Sequence, residues 1–356
     1  MKKTKNKKVT SKKNKLTYEI VSKYRTLLMG IAIITLLIFH FVEDCHSANY
    51  NYEGLIRLYK ICIGSSGVDI FLLLSGFGLY YSFKKNDNIK EFYTKRFTKI
   101  LIPYLIVAIP GIFFKDIIFN NGTIIDFLKD ITFISIITDG VRWHWYIFFI
   151  GVCYLIFPYL YKVFDSSKDD ITDHSRLISM FSFITIICIM LQLYCKPIFN
   201  NTNIFMLRFF PFICGILLGK YAYQKKEIKK SHIVIAFLGL FLIWLAKDTN
   251  IILVRYTLFI VNTCLYFIGL LILNKLSSLK IHYFSVKIVE WFGKYSLEIY
   301  LVHVTIRVFF KYLGYPTYLL RNEIIFIIIT LILSVILNKI SNKISAYITK
   351  KSICIN

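Results

Sequence analysis

Charged residues are scarce in this sequence, and acidic ones are scarcest. Only 18% of the 356 residues are Asp, Glu, Lys or Arg, whereas 56% are hydrophobic and the mean hydropathy is +0.60. This composition excludes a soluble globular domain, because too few polar residues are present to cover its surface. Since a membrane helix needs about 20 apolar residues, the chain has room for about ten. We therefore predict an all-α polytopic membrane protein.

The shortage of acidic residues leaves a net charge of +24, from 44 basic and 20 acidic residues. Nucleic-acid-binding proteins have such a charge, but there the basic residues form one patch. Here they stand between the apolar runs, in "MKKTKNKKVTSKKNK", "KKNDNIKEFYTKRFTK", "YQKKEIKK" and Lys339 to Lys351. This is the positive-inside pattern, with added attraction to anionic lipids. We expect the lipid bilayer as a partner and no nucleic acid.

Paired cysteines and a cleavage site are also lacking. The eight cysteines include no C-x-x-C pair and lie mostly inside apolar runs, which argues against a metal site and against a disulfide framework. No A-x-A site follows the first apolar run, so we expect the Lys-rich N-terminus to be retained. No metal is expected.

Apolar runs and their breakers predict ten membrane-spanning helices. Their ranges are 24–42, 67–83, 100–118, 143–163, 176–194, 204–223, 232–247, 251–273, 288–310 and 323–342. The Lys-rich loops at 84–99 and 220–231 would face the cytoplasm, and the Lys-poor loops at 195–203 and 248–250 the outside.

An even number of spans places both termini in the cytoplasm. The predicted organisation is a basic cytoplasmic tail (1–23), a ten-helix membrane domain (24–342) and a short cytoplasmic tail (343–356).

The first predicted span, with "MGIAIITLLIFH" at its centre, carries a histidine at its outer end. Ionisable groups at membrane depth are candidates for function. If the helix continues, Glu43 and Asp44 lie at i+3 and i+4 from His40, where either can accept the second ring proton. A carboxylate that orients an imidazole is typical of a general base. The spacing leaves two interpretations open, a general base or a histidine at the membrane interface.

Three cations are expected at the cytoplasmic side. Arg25 lies 15 residues before His40, about 22 Å along the helix and about 60° around it. Arg96 and Lys99 are three residues apart at the inner end of the third span, on one helical face suited to phosphate groups. Ordinary positive-inside topology is the alternative explanation for this pair.

The second span, "GSSGVDIFLLLSGFGLYYSF", begins near Asp69 and is interrupted by Ser75, Gly76 and Gly78. Small residues allow close packing of helices, or they give a long, thin ligand access to the backbone. The pattern does not separate these two interpretations.

The ninth span carries a polar stripe. Ser296, Tyr300, His303 and Arg307 follow at intervals of four, three and four, so they share one helical face. Such a stripe lines a cavity or pairs with another helix. His144, at the outer end of the fourth span, is expected at the same depth as His40.

Five stretches in this order resemble the acyltransferase-3 family of integral-membrane acyltransferases. They are "LLMGIAIITLLIFH", "GVDIFLLLSGFGLYYSF", "KRFTKILIPY", "HWYIFFIGVCYLIFP" and "YSLEIYLVHVTI", and they span nearly the whole chain. The resemblance implies a ten-helix domain in a bacterial cytoplasmic membrane. It implies transfer of an acyl group, with acetyl expected, from cytoplasmic acyl-CoA to a hydroxyl of a glycan or lipid-linked glycan. No permanently bound cofactor is implied.

The resemblance also assigns residues. His40 matches the histidine of the family's Arg-x10-His motif, and Arg96 and Lys99 match a basic pair thought to hold the CoA phosphates. The second position of that pair is commonly arginine, and lysine keeps the charge without the bidentate fork. Met29 stands where the motif has arginine. Either Arg25, one turn closer to the cytoplasm, reaches into the site, or this branch of the family lacks the contact.

These observations combine into one hypothesis for the site. The predicted catalytic residues are His40, Glu43, Asp44 and His303. The predicted donor-binding residues are Arg96, Lys99, Arg25 and Ser75. The predicted substrate path includes Asp69, Gly76, Tyr300, Ser296 and His144.

In this hypothesis the donor's arm passes a helix break at Ser75–Gly76, and His40 acts as general base. Some relatives carry an additional esterase-like domain, and we expect none in this protein. We therefore expect transfer to be completed in the membrane domain or with a separate partner. A transporter or exporter is the alternative, although the sequence shows no internal symmetry. A family member that acts only as a scaffold is a third possibility, suggested by Met29.

Overall fold

The computed structural model describes residues 16–50, 52–54, 67–229, 234, 238, 241, 251–277 and 283–354. Within these ranges the regular structure is α-helical, apart from one π-helical segment and one isolated antiparallel bridge between Thr17 and Glu227. The predicted all-α class is confirmed. The predicted span at 232–247 and most of the loop before the second span lie outside the described residues.

The described helices are numbered here in chain order. They are α1 (Glu19–Lys23), α2 (Arg25–Ser47), α3 (Gly67–Lys85), α4 (Ile89–Phe113, followed by the π-helical segment Phe114–Phe119), α5 (Ile124–Ile131), α6 (Ile134–Thr138), α7 (Trp145–Asp165), α8 (Asp170–Tyr194), α9 (Lys196–Met206), α10 (Phe209–Tyr223), α11 (Ile251–Ser277), α12 (Tyr283–Lys294), α13 (Ser296–Tyr312) and α14 (Leu320–Cys354).

Seven segments of the described chain are long and apolar enough to cross a membrane. They are Arg25–Ser47, Ile89–Phe119, Trp145–Asp165, Asp170–Tyr194, Lys196–Tyr223, Ile252–Lys275 and Leu320–Ile348. The prediction of a multi-pass membrane protein is thereby confirmed. The number of ten spans and the cytoplasmic position of both ends stay predictions.

Two predicted spans are divided in the structure. The range 288–310 is broken at Tyr295 into α12 and α13. Just before this break, α12 packs tightly on α2, since a Cβ added to Gly293 would collide with the carbonyl oxygen of Thr26. The range 204–223 is broken at Leu207 and Arg208, and α9 already begins at Lys196.

Three boundaries also differ from those expected. Helix α4 begins at Ile89 because the Asn88 side chain accepts a hydrogen bond from the Glu91 amide (3.0 Å), an N-cap. Arg96 and Lys99 therefore lie within a helix rather than at the end of a loop. The chain is already helical at α1, and α14 continues to Cys354 through most of the expected tail.

Glycines bring α3 and α10 into close contact. A Cβ added to Gly76 would collide with the carbonyl oxygen of Phe212, and one added to Gly215 would collide with that of Leu73. Helix α3 is continuous through Ser75 and Gly76, so the predicted break is wrong. The small residues serve helix packing at this position, because an unbroken helix needs them for the close approach.

A buried ion pair joins three helices on the predicted inner side. Lys220 of α10 donates to both carboxylate oxygens of Asp173 in α8 (2.8 and 2.9 Å). Its ammonium group also donates to the carbonyl oxygens of Phe164 (2.8 Å) and Ser167 (3.0 Å). Two charges buried at 2% exposure or less are thus satisfied by each other and by the backbone.

We expect Gly215→Val to destabilise the protein by about 3 kcal/mol, the upper end for overpacking, because the side chain has no room against α3. Thermal unfolding of the purified protein in detergent measures this. The matched control is Gly269→Val in α11, where an added Cβ has no neighbour within 4 Å. Equal melting temperatures for the two variants would contradict the packing described here.

Candidate active site

One large cavity, of about 1070 Å³, opens among α2, α3, α4, α7, α12, α13 and α14. Its lining includes six basic side chains and one acidic one. The basic residues are Arg25, Lys85, Lys95, Arg96, Lys99 and Lys294, and the acidic residue is Glu298. The cavity therefore has a strongly positive lining, which favours an anionic ligand.

Five of these cations have no carboxylate partner among the described residues. Lys95 is paired with Glu91, one turn earlier in α4, and the Glu298 carboxylate accepts a hydrogen bond from the Asn338 amide (2.9 Å). The remaining cations, here called the basic end, are Arg25, Lys85, Arg96, Lys99 and Lys294. Charges of one sign repel each other, so this arrangement is stabilised by a multivalent anion.

Arg25 reaches into the cavity from the start of α2. Its Nε donates to the carbonyl oxygen of Leu74 (3.3 Å), and its guanidinium group lies against Gly78, where an added Cβ would be 2.7 Å from Nη2. Arg25 is close enough to Arg96 for the two charges to interact. Met29 lines the same cavity one turn further along α2, so this position adds an apolar surface and no charge.

At its other end the cavity is lined by residues that lie close in sequence to two histidines. Leu36 and Tyr300 line it there, and the Tyr300 ring contacts the ring of Tyr146 edge-on, with centroids 5.4 Å apart. Leu36 precedes His40 by four residues and Tyr300 precedes His303 by three. The cavity thus stops about one helical turn, or roughly 5 Å, before the two imidazoles.

The two histidines belong to what we call the histidine cluster, made of His40, Glu43, Asp44, His303 and Arg307. The rings of His40 and His303 are in contact and tilted by 39° to each other, with centroids 4.9 Å apart. His40 Nδ1 is 3.1 Å from Glu43 Oε2 and 2.7 Å from Arg307 Nη1. One ring nitrogen cannot donate to the carboxylate and accept from the guanidinium at once. Which ring nitrogen of His40 carries the proton therefore depends on whether Nδ1 donates to Glu43 or accepts from Arg307.

Asp44 has a different partner from the one expected. The sequence places Asp44 beside Glu43 as a possible orienting group for His40, but the structure shows it bound to Arg307. Arg307 Nε donates to Asp44 Oδ2 (2.9 Å) and Oδ1 (3.2 Å), and Nη2 also contacts Oδ1. Asp44 further accepts from the Thr317 hydroxyl. Asp44 thus acts on His40 through Arg307, because the guanidinium lies between them.

The polar stripe of α13 lines the cavity and also contacts another helix, the two arrangements that its spacing predicts. Ser296 and Tyr300 line the cavity. His303 and Arg307, further along the same face, contact His40 and the carboxylates of α2. A single helix face therefore connects the cavity with the histidine cluster.

Three residues expected on the substrate path do not line the cavity. Asp69 is buried and accepts a hydrogen bond from Arg208 Nε (3.0 Å), and Gly76 faces α10. His144 is buried, and its Nε2 is 3.2 Å from the Thr305 hydroxyl. Asp69 and Gly76 do not line the cavity because they lie on other faces of α3. The face toward the cavity carries different residues. These are Val68, Phe71, Ser75, Gly78, Leu79, Tyr81, Ser82 and Lys85.

The sequence analysis missed a polar stripe on the last helix. Four neutral side chains of α14 line the cavity: Asn338, Ser341, Asn342 and Ser345. The i, i+3, i+4, i+7 spacing of these polar residues in "NKISNKIS" would have predicted a common helical face. The stretch was divided instead between the end of a span and a cytoplasmic tail.

The site combines an anion-binding end with an imidazole flanked by carboxylates. An imidazole in this setting can take a proton from a hydroxyl group and pass it on. In the part of the chain that the structure describes, no group of three or more His, Cys, Asp or Glu side chains is placed to hold a metal ion.

Comparison with known families identifies the chain. Neither a search of curated proteins nor a search of solved structures found a significant match. The model of the acyltransferase-3 family, described as an acyltransferase domain, matches residues 26–339. That range includes the histidine cluster and most of the residues that line the cavity. The chain therefore belongs to the acyltransferase-3 family and is a multi-pass membrane acyltransferase.

Proposed function

We propose that this protein transfers an acyl group, with acetyl expected, from acyl-CoA to a hydroxyl of a cell-surface or exported glycan. The observation that carries this proposal is one cavity with the His40–His303 pair just beyond one end and, at the other, five cations that make no ion pair within 4 Å with a described residue. A long donor with several phosphates at one end and a thioester at the other matches both ends of this cavity.

The phosphates of the donor bind at the basic end. Arg25 and Arg96 each offer a planar fork that can donate two hydrogen bonds to one phosphate group. Lys99 adds a point charge from the same helical face as Arg96. Arg25 takes the part that an arginine at position 29 plays in related sequences, but from one turn closer to the basic end.

His40 is the general base in the proposed reaction. Its Nε2 takes the proton of the acceptor hydroxyl while the hydroxyl oxygen attacks the thioester carbonyl carbon. The C–S bond then breaks, and the CoA thiolate receives the proton that His40 holds. Nε2 can act as a base when Nδ1 carries the other proton and donates it to Glu43. Arg307, which would otherwise donate to Nδ1, remains held by Asp44.

The charges of the histidine cluster support this role. Glu43 and Asp44 carry two negative charges, and Arg307 carries one positive charge. The proton taken up by His40 makes the cluster neutral, which is favourable where charges are poorly solvated. His303 is buried against the His40 ring. In the proposed reaction it stabilises the negative charge that develops on the thioester oxygen.

The two substrates approach the histidine cluster from different sides. The cavity approaches it from the basic end, which we expect to face the cytoplasm because the Lys-rich segments favour that orientation. On the opposite side the Glu43 side chain is 46% exposed, which leaves room for an acceptor outside. In a bacterial cytoplasmic membrane this geometry lets CoA remain inside while the glycan is modified outside.

We expect His40→Ala to abolish transfer of radiolabelled acetyl from acetyl-CoA to membrane glycan, because the hydroxyl loses its base. General acid–base catalysis contributes about 100- to 10,000-fold. His46→Ala is the matched control, since His46 is an exposed histidine at the end of the same helix. Turnover that survives in His40→Ala, in protein that still purifies as a single folded species, would remove His40 from the mechanism.

Charge reversal at Arg96 and Lys99 is expected to raise the KM for acetyl-CoA by more than about tenfold, since each charge-assisted hydrogen bond contributes about 1.5–3 kcal/mol. Lys162→Glu, which changes an exposed lysine of α7 that does not line the cavity, controls for net charge. An unchanged KM would exclude the basic pair from donor binding.

The proposal that Arg25 replaces the arginine absent at position 29 can be tested by moving the positive charge along α2. Arg25→Met should raise the KM for acetyl-CoA by about tenfold, because one phosphate contact is lost. Met29→Arg added to that variant should recover part of the loss, since residue 29 lines the same cavity. If Arg25→Met alone leaves the KM unchanged, Arg25 does not replace the arginine of related sequences.

A further inference from the structure

We propose that α14 recognises the adenine ring of the acyl donor, and that the side-chain amide of Asn342 makes the contact. This inference rests on the proposed function, because it takes acyl-CoA as the donor. The polar stripe of α14 consists of Asn338, Ser341, Asn342 and Ser345. Neither the phosphates nor the thioester of the donor is assigned to this stripe, and the inference gives it a ligand.

The side chains of α14 are sorted by charge around the helix. Apart from Ala346, those that line the cavity are neutral hydrogen-bonding groups, whereas Lys339 and Lys343 of the same two turns do not line it. Every cation of the basic end comes from α2, α3, α4 or α12. The α14 wall of the cavity is therefore suited to an uncharged polar part of the ligand. Its stripe extends for about 10 Å along the helix, enough for a base and a sugar.

A chain of hydrogen bonds fixes the orientation of Asn342. Asn338 Nδ2 donates to Glu298 Oε1 (2.9 Å), and Asn342 Nδ2 donates to Asn338 Oδ1 (3.0 Å). A carboxylate only accepts, so the first bond fixes which way the Asn338 amide faces, and this fixes Asn342 in turn. Asn342 Oδ1 accepts no hydrogen bond from the described residues. Asn342 thus presents its Oδ1 as an acceptor to the cavity, with the second N–H of Nδ2 beside it.

Adenine has the complementary pattern. Its exocyclic amino group donates a hydrogen bond and the adjacent ring nitrogen accepts one, so a side-chain amide can bind both. A base with a carbonyl group in place of that amino group would direct an oxygen at Asn342 Oδ1 and be rejected. The orientation imposed through Glu298 and Asn338 therefore selects adenine, because a rotated amide would lose its bond to Asn338.

Binding of three compounds to the purified protein in lipid nanodiscs tests this assignment by calorimetry. The compounds are CoA, its analogue with hypoxanthine in place of adenine, and phosphopantetheine, which lacks the nucleotide. We expect wild-type protein to bind CoA about tenfold more tightly than the hypoxanthine analogue, as one bidentate contact provides. In Asn342→Ala this preference should disappear, while the Kd for phosphopantetheine stays unchanged.

Lys343→Ala, adjacent on α14 but outside the cavity lining, is the matched control and should keep the preference. A preference for CoA that persists in Asn342→Ala would overturn the assignment and leave the proposed donor intact. Equal binding of CoA and the hypoxanthine analogue by the wild type would overturn it as well. Failure of the wild type to bind CoA at all would overturn the proposed function together with this inference.

Discussion

The structure depends on how charges are compensated at membrane depth. Where ionised side chains serve the fold, they are paired: Lys220 with Asp173, and Arg208 with Asp69. The first pair joins α10 to α8, and the second joins the break between α9 and α10 to α3. An uncompensated charge in the bilayer would be costly. The cations of the basic end are different, since they line a cavity and lack carboxylate partners among the described residues. The proposed anionic donor would supply the compensation that these cations lack, which is why we assign donor binding to the basic end.

The histidine cluster follows the same rule and adds chemistry to it. Arg307 is fixed by Asp44, and this ion pair joins α2 to α13 at the level of His40. The same guanidinium competes with Glu43 for a single nitrogen of the ring. The pair that fastens the two helices thus also controls which ring nitrogen is available as a base. In the proposed mechanism, the stability of this helix contact and proton transfer at His40 therefore both depend on Arg307, so its effects on each have to be measured separately.

Sequence patterns predicted the helical class and most of the site, and they failed where tertiary contacts decide. The spacing within α13 predicted its polar face because helical phase is a local property. The partner of Asp44 was missed because Arg307 is 263 residues away in sequence. Gly76 was interpreted as a break, although glycine in a helix is equally compatible with a close approach, and only the position of α10 distinguishes the two. The stripe around Asn342 was lost because the end of a span was placed by hydropathy, whereas the helix continues through it.

The separation between the cavity and the histidine cluster has a consequence for the proposed reaction. Leu36 and Tyr300 line the cavity, whereas His40 and His303, about one helical turn further along α2 and α13, do not. In the proposed reaction the acyl group therefore has to pass the level of these two side chains to reach the imidazole. Binding of the donor at the basic end and transfer at His40 are thus separate steps of the proposed mechanism.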